Sequence, residues 1–539
     1  MSHDVDIAIA FNKHFSSVFT FASNLPIMDD SYFGNFSFNF KKITTEEIKA
    51  AIKLSRNDSA FGSDGLPVYL IKKLQKNLIP ILEEMFNSFL YYSYVPKIWK
   101  SATITPILKK GGDKNNISSY RPISVTNIFC RIFEKILLKR LNDFLEFNNI
   151  LCENQHGFRQ SKSTLSNLID CYDFVSENLE LRNSVDIVYL DFEKAFDKVN
   201  LNLLVKKLLN IGLPLYMTKW LTNFLTSRIQ AVKIRNSLSD TVAVSSGVPQ
   251  GCVLSPVLFD IYINDLYKQK ISIQILSFAD DTKLLNLSKF SQKIEEDLQI
   301  IEKWCKDNYI KINTDKSFTV HFGKNSDPHT YYIDGKPIQN ADSVRDLGVI
   351  IDKNLKFADH CNEIAKKCNI LCYAIHRFFT KRTYQQYFDL FKIYVRPIIE
   401  YNIVFWFPSF NKYEKIVESI QKRFTKRICP IGLTYPERLS LLSDFSLKTR
   451  YSMHGLIFTY KSLHNHVRTR FQYTRAFSST TRGNSFKLFL PYCKTSFRKS
   501  FCTLRWIPSW NSLPNSLVDC RDLTSFRQAL VKYLPELRA

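Results

Sequence analysis

Tyr189-Leu190-Asp191-Phe192-Glu193-Lys194-Ala195-Phe196 and, further along, Phe278-Ala279-Asp280-Asp281 each close a run of alternating residues. Ile187, Tyr189 and Asp191 fall on one face of the first run, and Ile271 to Ser277 alternates in the same way before the paired aspartates. A period of two predicts β-strands, so both acidic boxes sit at strand ends. One strand beside a hairpin brings Asp191, Asp280 and Asp281 together. Three carboxylates in a small volume repel unless cations neutralise them. Two Mg²⁺ about 3.5–4 Å apart do this while activating an attacking oxygen and stabilising a leaving one, which is the chemistry of nucleotidyl transfer.

Either box alone reads as a turn with solvated or helix-capping carboxylates. A third stretch strengthens the pair: Ser246-Gly247-Val248-Pro249-Gln250-Gly251-Cys252-Val253-Leu254-Ser255-Pro256, whose glycines allow close backbone approach just before a helix. Such a loop holds a nucleotide or a template base; alone, it reads as a strand-to-helix turn. The chain has no Gly-x-x-x-x-Gly-Lys phosphate loop and no Gly-x-Gly-x-x-Gly, which argues against ATPase and dehydrogenase chemistry.

With 45% hydrophobic and 23% charged residues, the 539-residue chain has the composition of a globular protein of several domains. Its 74 Lys and Arg against 50 Asp and Glu give a formal charge of +24, so polyanions are natural partners. Coding bias toward lysine would spread that excess evenly. Instead, Gln421 to Ala539 holds 21 Lys or Arg against 5 Asp or Glu, two thirds of the whole excess. Lys461 to Trp510 has ten Lys or Arg, ten aromatic residues and no acid, the composition of a surface that tracks phosphates and stacks bases; the rival reading is an aromatic-cored helical module with a basic exterior. The twelve cysteines include no Cys-x-x-Cys pair and read as buried thiols of a reducing compartment. No apolar run reaches the length of a membrane span, and no secretory leader is expected.

Along the chain, Phe11 to Phe21 and Phe33 to Phe40 read as a lead-in that packs on the segment downstream of it. Thr44, with Glu47 three residues on, predicts a helix start. Trp99 to Leu108 predicts a strand, then a basic loop from Lys109 to Arg121, then a helix through Leu141. Ser291 to Asn308 is an amphipathic helix with Ile294, Leu298, Ile301 and Cys305 on one stripe. His360, Cys361, Cys368, Cys372 and His376 are weighed against zinc, but ligands along one straight helix do not surround a tetrahedral ion, so a helix interface is the better reading.

Arg121-Pro122-Ile123-Ser124, Gln155-His156-Gly157-Phe158-Arg159, Asp191 to Val199, Gly247 to Pro256, Phe278 to Leu284, Trp304 to Lys316 and Leu347-Gly348-Val349 appear in the order and at the spacing of a known family. From about Thr44 to Asp352 the chain resembles the reverse transcriptases of non-LTR (LINE-type) retrotransposons, nearest the jockey and chicken-repeat lineages. Ser496 to Pro514 resembles the end of such reading frames. The resemblance implies an α+β right-hand polymerase with an antiparallel palm sheet and a helical thumb. It divides the chain into a lead-in (1–43), fingers and palm (44–352), thumb (353–425) and a basic, aromatic-rich nucleic-acid-binding module (426–539).

Carried over by position, the resemblance makes Asp191, Asp280 and Asp281 the catalytic carboxylates and, with the Phe192 carbonyl, the ligands of two Mg²⁺, for which Mn²⁺ is a substitute. Lys109 and Arg121 then lie over the triphosphate, Gln250 touches the incoming nucleotide, and Lys316 stands near the leaving pyrophosphate. Phe196 lies beneath the sugar, where a ring excludes a 2′-OH; RNA-copying RNA polymerases place an acid there and carry Gly-Asp-Asp in the second box, whereas this chain has Ala279. The implied reaction adds dNTPs to a primer 3′-OH on an RNA template. The implied partners are template RNA and a DNA primer or nicked target DNA. The implied location is intracellular, nuclear at the site of integration and cytoplasmic as a ribonucleoprotein.

Two departures stand out. Tyr309 replaces a glycine of many relatives, so the turn leading to Lys316 is expected to differ. Nothing before Thr44 is expected to hold the endonuclease these elements usually encode, which makes a catalytically silent, RNA-binding remnant the alternative function. A group II intron or retron-like enzyme is disfavoured by the tail after Ser496.

Overall fold

The computed structural model describes residues 4–19, 41–324, 329–476 and 484–534. Phe21 and Phe33 to Phe40 of the lead-in lie outside the described residues. Strands β1 (Ser101–Leu108), β2 (Tyr120–Val125), β3 (Val185–Leu190), β4 (Arg228–Ile234), β5 (Ser237–Leu238), β6 (Val242–Val244), β7 (Gln274–Phe278), β8 (Asp281–Leu287) and β9 (Phe318–Phe322) build two sheets. In the fingers sheet β1 pairs antiparallel with β2 and parallel with β4, which in turn carries β5 and β6. The palm sheet runs β9-β3-β8-β7, antiparallel throughout, with Gln339–Asn340 parallel to β9 at its edge.

The register places the acidic boxes together. Leu190 pairs with Thr282 across β3 and β8, so Asp191 leaves the sheet at the end where β7 turns into β8 with Phe278 opposite Asp281. All six residues of β3 are buried, and its alternation feeds two cores rather than one core and solvent. Val188 and Leu190 join the core of fingers and palm, whereas Val185, Ile187 and Tyr189 join a second core shared with the thumb. Both faces of β3 are covered, as in buried sheets generally, and its one charged residue, Asp186, is buried with Ser288, His321 and Tyr331 as hydrogen-bond partners.

Helices α1 (Asp4–Ser16), α2 (Thr45–Lys53), α3 (Val68–Tyr91), α4 (Ile128–Phe147), α5 (Thr164–Glu180), α6 (Leu201–Asn210), α7 (Leu215–Leu225), α8 (Ser255–Ile263) and α9 (Ser291–Asp307) surround these sheets. The expected start at Thr44 is a full capping box, with Thr44 and Glu47 each accepting the other's backbone N–H. The stripe expected on α9 is buried as read. The strand expected from Trp99 starts at Ser101; Trp99 sits in a preceding 3₁₀ turn, buried against Phe86 and Phe89. The described part of the lead-in packs Ala8, Phe11 and Phe15 on Ala102, Ile104 and Val232 of the fingers sheet.

The segment expected to form the thumb is helical: α10 (Ala358–Phe378), α11 (Tyr384–Leu390), α12 (Arg396–Glu400), α13 (Ile403–Trp406) and α14 (Asn411–Ile428). The boundary expected at residue 425 falls inside α14. Beyond it lie α15 (Tyr435–Leu441), α16 (Leu447–Leu463) and short helices from Ser496 to Tyr533. The cysteine and histidine stripe on α10 is a packing interface: Cys361 and Cys368 are core, His360 sits edge-on to Trp406 and His376 lies against Phe424.

Trp506 and Trp510 are buried, at 4% and 0% exposure, in the cores around α16. Their rings pack protein rather than bases, the arrangement of the aromatic-cored reading. No described helix is long and apolar enough to cross a membrane.

Candidate active site

One open cleft of about 930 Å³ is lined by every residue singled out from the sequence: Lys109, Arg121, Asp191, Phe192, Phe196, Gln250, Asp280, Asp281 and Lys316. Five chain segments supply them, and backbone contacts tie these segments together. Asp191 leaves β3 with its N–H donating to Ser317 Oγ (3.3 Å) and its C=O accepting from Asn313 N–H (2.7 Å). Phe192 bridges antiparallel to Ile312. The catalytic strand end and the segment bearing Lys316 are therefore one structural unit, with Lys316 Nζ 3.9 Å from Asp191 Oδ2. Tyr309 takes up left-handed backbone, at φ 54°, a region that glycine enters freely and a residue with a Cβ rarely does.

The carboxylates sense one another. Burial raises the Asp280 carboxyl above its usual range and Asp191 adds to the rise, with Arg121 pulling the other way. Asp281 is pushed up to about 6, first by burial, then by Asp280 and the buried Asp346, against Lys283. Asp191 is raised by burial against the pull of Lys316 and Lys109. Such mutual repulsion is what a divalent cation relieves. The donor set is all oxygen and suits a hard cation, although no three described His, Cys, Asp or Glu side chains already converge at ligand geometry. The residues present fit a divalent metal by donor chemistry and shared charge.

The same cleft holds a basic wall. The Lys109 ammonium is pushed below its usual range by burial and by Lys316, Arg121 and Lys194, and it donates to Ser118 O at 2.9 Å. Clustered cations raise one another's free energy until an anion arrives, so this wall is poised for a polyphosphate. Phe196 closes the floor, its ring stacked on Phe259 with centroids 4.4 Å apart. That contact makes Phe196 both a packing residue and a fixed wall of the cleft.

Gln250 meets a partner that the sequence did not disclose. Its Nε2 donates to both carboxylate oxygens of Asp197 at 2.9 Å. The loop is seated so tightly that a Cβ on Gly251, at φ 106°, would lie 2.9 Å from Ser124 O. Burial pushes the Asp197 carboxyl up to about 6, against Gln250, Lys194 and Lys109. Lys194, Asp197 and His14 of α1 also line the cleft. Lys194 and Asp197 stand in or just past the first acidic box, a signal available in the sequence; His14 had none.

Residues 107–351 match the family model described as "Reverse transcriptase (RNA-dependent DNA polymerase)". That segment is similar to reverse transcriptase domains. Longer matches are to transposon enzymes. The chain is 28% identical over 433 residues to the probable RNA-directed DNA polymerase from transposon BS of Drosophila melanogaster, covering 77% of this chain and 47% of that protein. It is 29% identical over 341 residues to the RNA-directed DNA polymerase from mobile element jockey of the same fly, covering 61% and 37%. The chain thus spans less than half the length of these curated relatives. Among solved structures, telomerase from Candida tropicalis in complex with a fragment of telomeric RNA aligns with 88% of the chain and 68% of its own, at 12% identity and a TM-score of 0.39. The matched segment contains all the cleft residues expected from the sequence.

Proposed function

We propose that the chain is an RNA-directed DNA polymerase of a non-LTR retrotransposon, extending a primer 3′-OH with dNTPs on an RNA template. The observation that carries this is one cleft lined by three strand-end carboxylates, by Lys109, Arg121 and Lys316, and by Phe196 fixed against Phe259. Asp191, Asp280 and Asp281, with the Phe192 carbonyl, are the residues that would hold two divalent ions, Mg²⁺ or in its place Mn²⁺. When bound, such ions supply charge for the attacking and leaving oxygens of an in-line displacement. Lys109, Arg121 and Lys316 bind the triphosphate, the Arg fork suiting two oxygens and each Lys acting as a point charge. Phe196, locked by Phe259, occupies the space a 2′-OH would need. The Asp197–Gln250 pair fixes the loop against which the incoming base rests. Template RNA, and a DNA primer or nicked target DNA, are the macromolecular partners, used in the nucleus at the integration site after transport as a cytoplasmic ribonucleoprotein.

Primer extension tests this. A DNA primer on an RNA template with Mg²⁺ is expected to extend with dNTPs and not NTPs, and Asp280→Asn to abolish extension. Phe196→Ala is expected to admit NTPs. Absence of extension by folded, RNA-binding protein would replace the enzyme with a silent RNA-binding remnant.

A further inference from the structure

Gln155 belongs to none of the roles above, yet it is 1% exposed and its carboxamide grips the backbone of the catalytic turn. Its Oε1 accepts from Ala279 N–H at 2.9 Å and from Gly157 N–H at 2.7 Å. Its Nε2 donates to Ala279 C=O at 3.2 Å and to Tyr267 Oη at 3.3 Å. Both polar groups of the residue immediately before Asp280 are thus tied to one side chain. The supporting segment is itself sewn to β7: Ser277 N–H donates to Asn154 C=O (3.0 Å), His156 N–H donates to Ser277 C=O (2.8 Å), and Gln155 bridges parallel to Ser277.

The gripped residue is a strained one. Ala279 lies at φ 55°, the left-handed region that a residue with a Cβ avoids and that glycine enters freely. It forms, with Asp280, the whole two-residue connection between Phe278 and Asp281. A backbone held in a costly region persists only where its surroundings over-determine it. The approach is also close: a Cβ on Gly157 would lie 2.4 Å from Ala279 N. Segment 154–157 therefore leaves the turn no room to relax toward it.

We propose that Gln155 is a positioning residue for catalysis: its bidentate grip on Ala279 holds the left-handed turn that aims Asp280 and Asp281 into the cleft. The inference rests on the polymerase reading for its kinetic arm only. Without the grip, Ala279 relaxes toward ordinary backbone and the two carboxylates leave the geometry at which they act with Asp191. Binding of the nucleotide by Lys109, Arg121 and Gln250 is untouched.

Gln155→Met keeps the length and bulk of the side chain and removes its hydrogen bonds. In the full chain it is expected to lower kcat for dNTP addition about 100-fold, the scale of a small misplacement of catalytic groups, with the dNTP KM within about threefold of wild type. Adding Ala279→Gly, which adopts the left-handed turn without strain, is expected to recover at least about tenfold of that loss. A residue that merely fills space would not be rescued by a backbone change at another position.

Hydrogen exchange by mass spectrometry, on folded protein without metal or substrate, reads the grip independently of activity. The amides of Ala279 and Gly157 are expected to exchange faster in Gln155→Met. The proposal is overturned if kcat stays within about threefold of wild type, if Ala279→Gly recovers nothing, or if exchange is unchanged. Should wild type incorporate no dNTP, the polymerase reading fails by itself and exchange alone decides the grip, faster exchange upholding it and unchanged exchange overturning it.

Discussion

At the scale of single residues, Asp197 shows how a buried charge ties stability to pH. Its folded carboxyl titrates at about 6, raised mainly by burial, against about 3.9 for an exposed one. Between those values the folded state binds a proton that the unfolded state has lost, so stability falls as pH rises from about 4 to about 6 and the penalty is complete above that. Discounted for the part of the side chain open to the cleft, the penalty is roughly 2 kcal/mol. Asp197→Asn, whose Oδ1 still accepts from Gln250, is expected to melt above wild type at pH 7.5 and level with it at pH 4.5. Equal melting temperatures at both pH values would place the group among ordinary carboxylates. The pair was invisible in the sequence because Gln250 lies 53 positions away, whereas Asp191, Asp280 and Asp281 were legible: an acid at the end of an alternating run is a local pattern. Gln155 was quoted as part of a motif, but its backbone partner 124 positions on was not legible from one sequence.

At the scale of elements, the two tryptophans of the C-terminal helices depart from an expectation drawn from composition. Ten aromatic and ten basic residues without an acid described a stacking surface, yet Trp506 packs on α16 where Gly455 leaves space. A Cβ at Gly455 would lie 2.1 Å from the Trp506 ring. Gly→Ala inside a helix ordinarily stabilises by about 1 kcal/mol; here the clash inverts the sign, and Gly455→Ala is expected to cost about 3 kcal/mol as an overpacked core does. Thermal melts decide, since a gain in stability would free Trp506 from the core. Part of the basic excess is likewise spent internally. Arg498 Nη1 lies 2.6 Å from Asp173 Oδ1 and 2.5 Å from Ser176 Oγ on α5, and Thr503 Oγ1 donates to the same Asp173 oxygen at 2.7 Å. Arg498→Met strands a largely buried carboxylate and is expected to cost about 2 kcal/mol, most of it restored by a second Asp173→Leu change if the charge is the cause. Palm strands and the α9 stripe were readable from periodicity because one element decides each; which aromatics turn inward in the tail depends on a glycine fifty positions earlier.

At the scale of the whole molecule, the question is whether the basic tail is a detachable module. One hydrophobic core contains Leu168, Tyr172, Val185 and Tyr189 of the palm together with Phe458, Phe501 and Trp506. Polar contacts follow the same seam: Arg470 N–H donates to Asp170 at 2.8 Å, Arg468 N–H to Ser161 C=O at 2.8 Å, and Thr495 N–H to Glu180 at 3.1 Å. Removing three buried aromatics costs about 3 kcal/mol each or more, a total comparable with the whole stability of a typical domain. A chain ending at Cys429 is therefore expected to lose its cooperative melt and its primer extension together. A separable nucleic-acid-binding tail predicts the opposite: a truncated protein that melts as before, extends at saturating template, and shows only a weaker, less salt-sensitive hold on RNA, since fewer phosphates would be neutralised. Circular dichroism melts of the truncated and full chains, read beside RNA affinity at two salt concentrations, separate these outcomes. The shared core argues for the first, because α5 lies between Arg498 on one side and the strand that ends in Asp191 on the other.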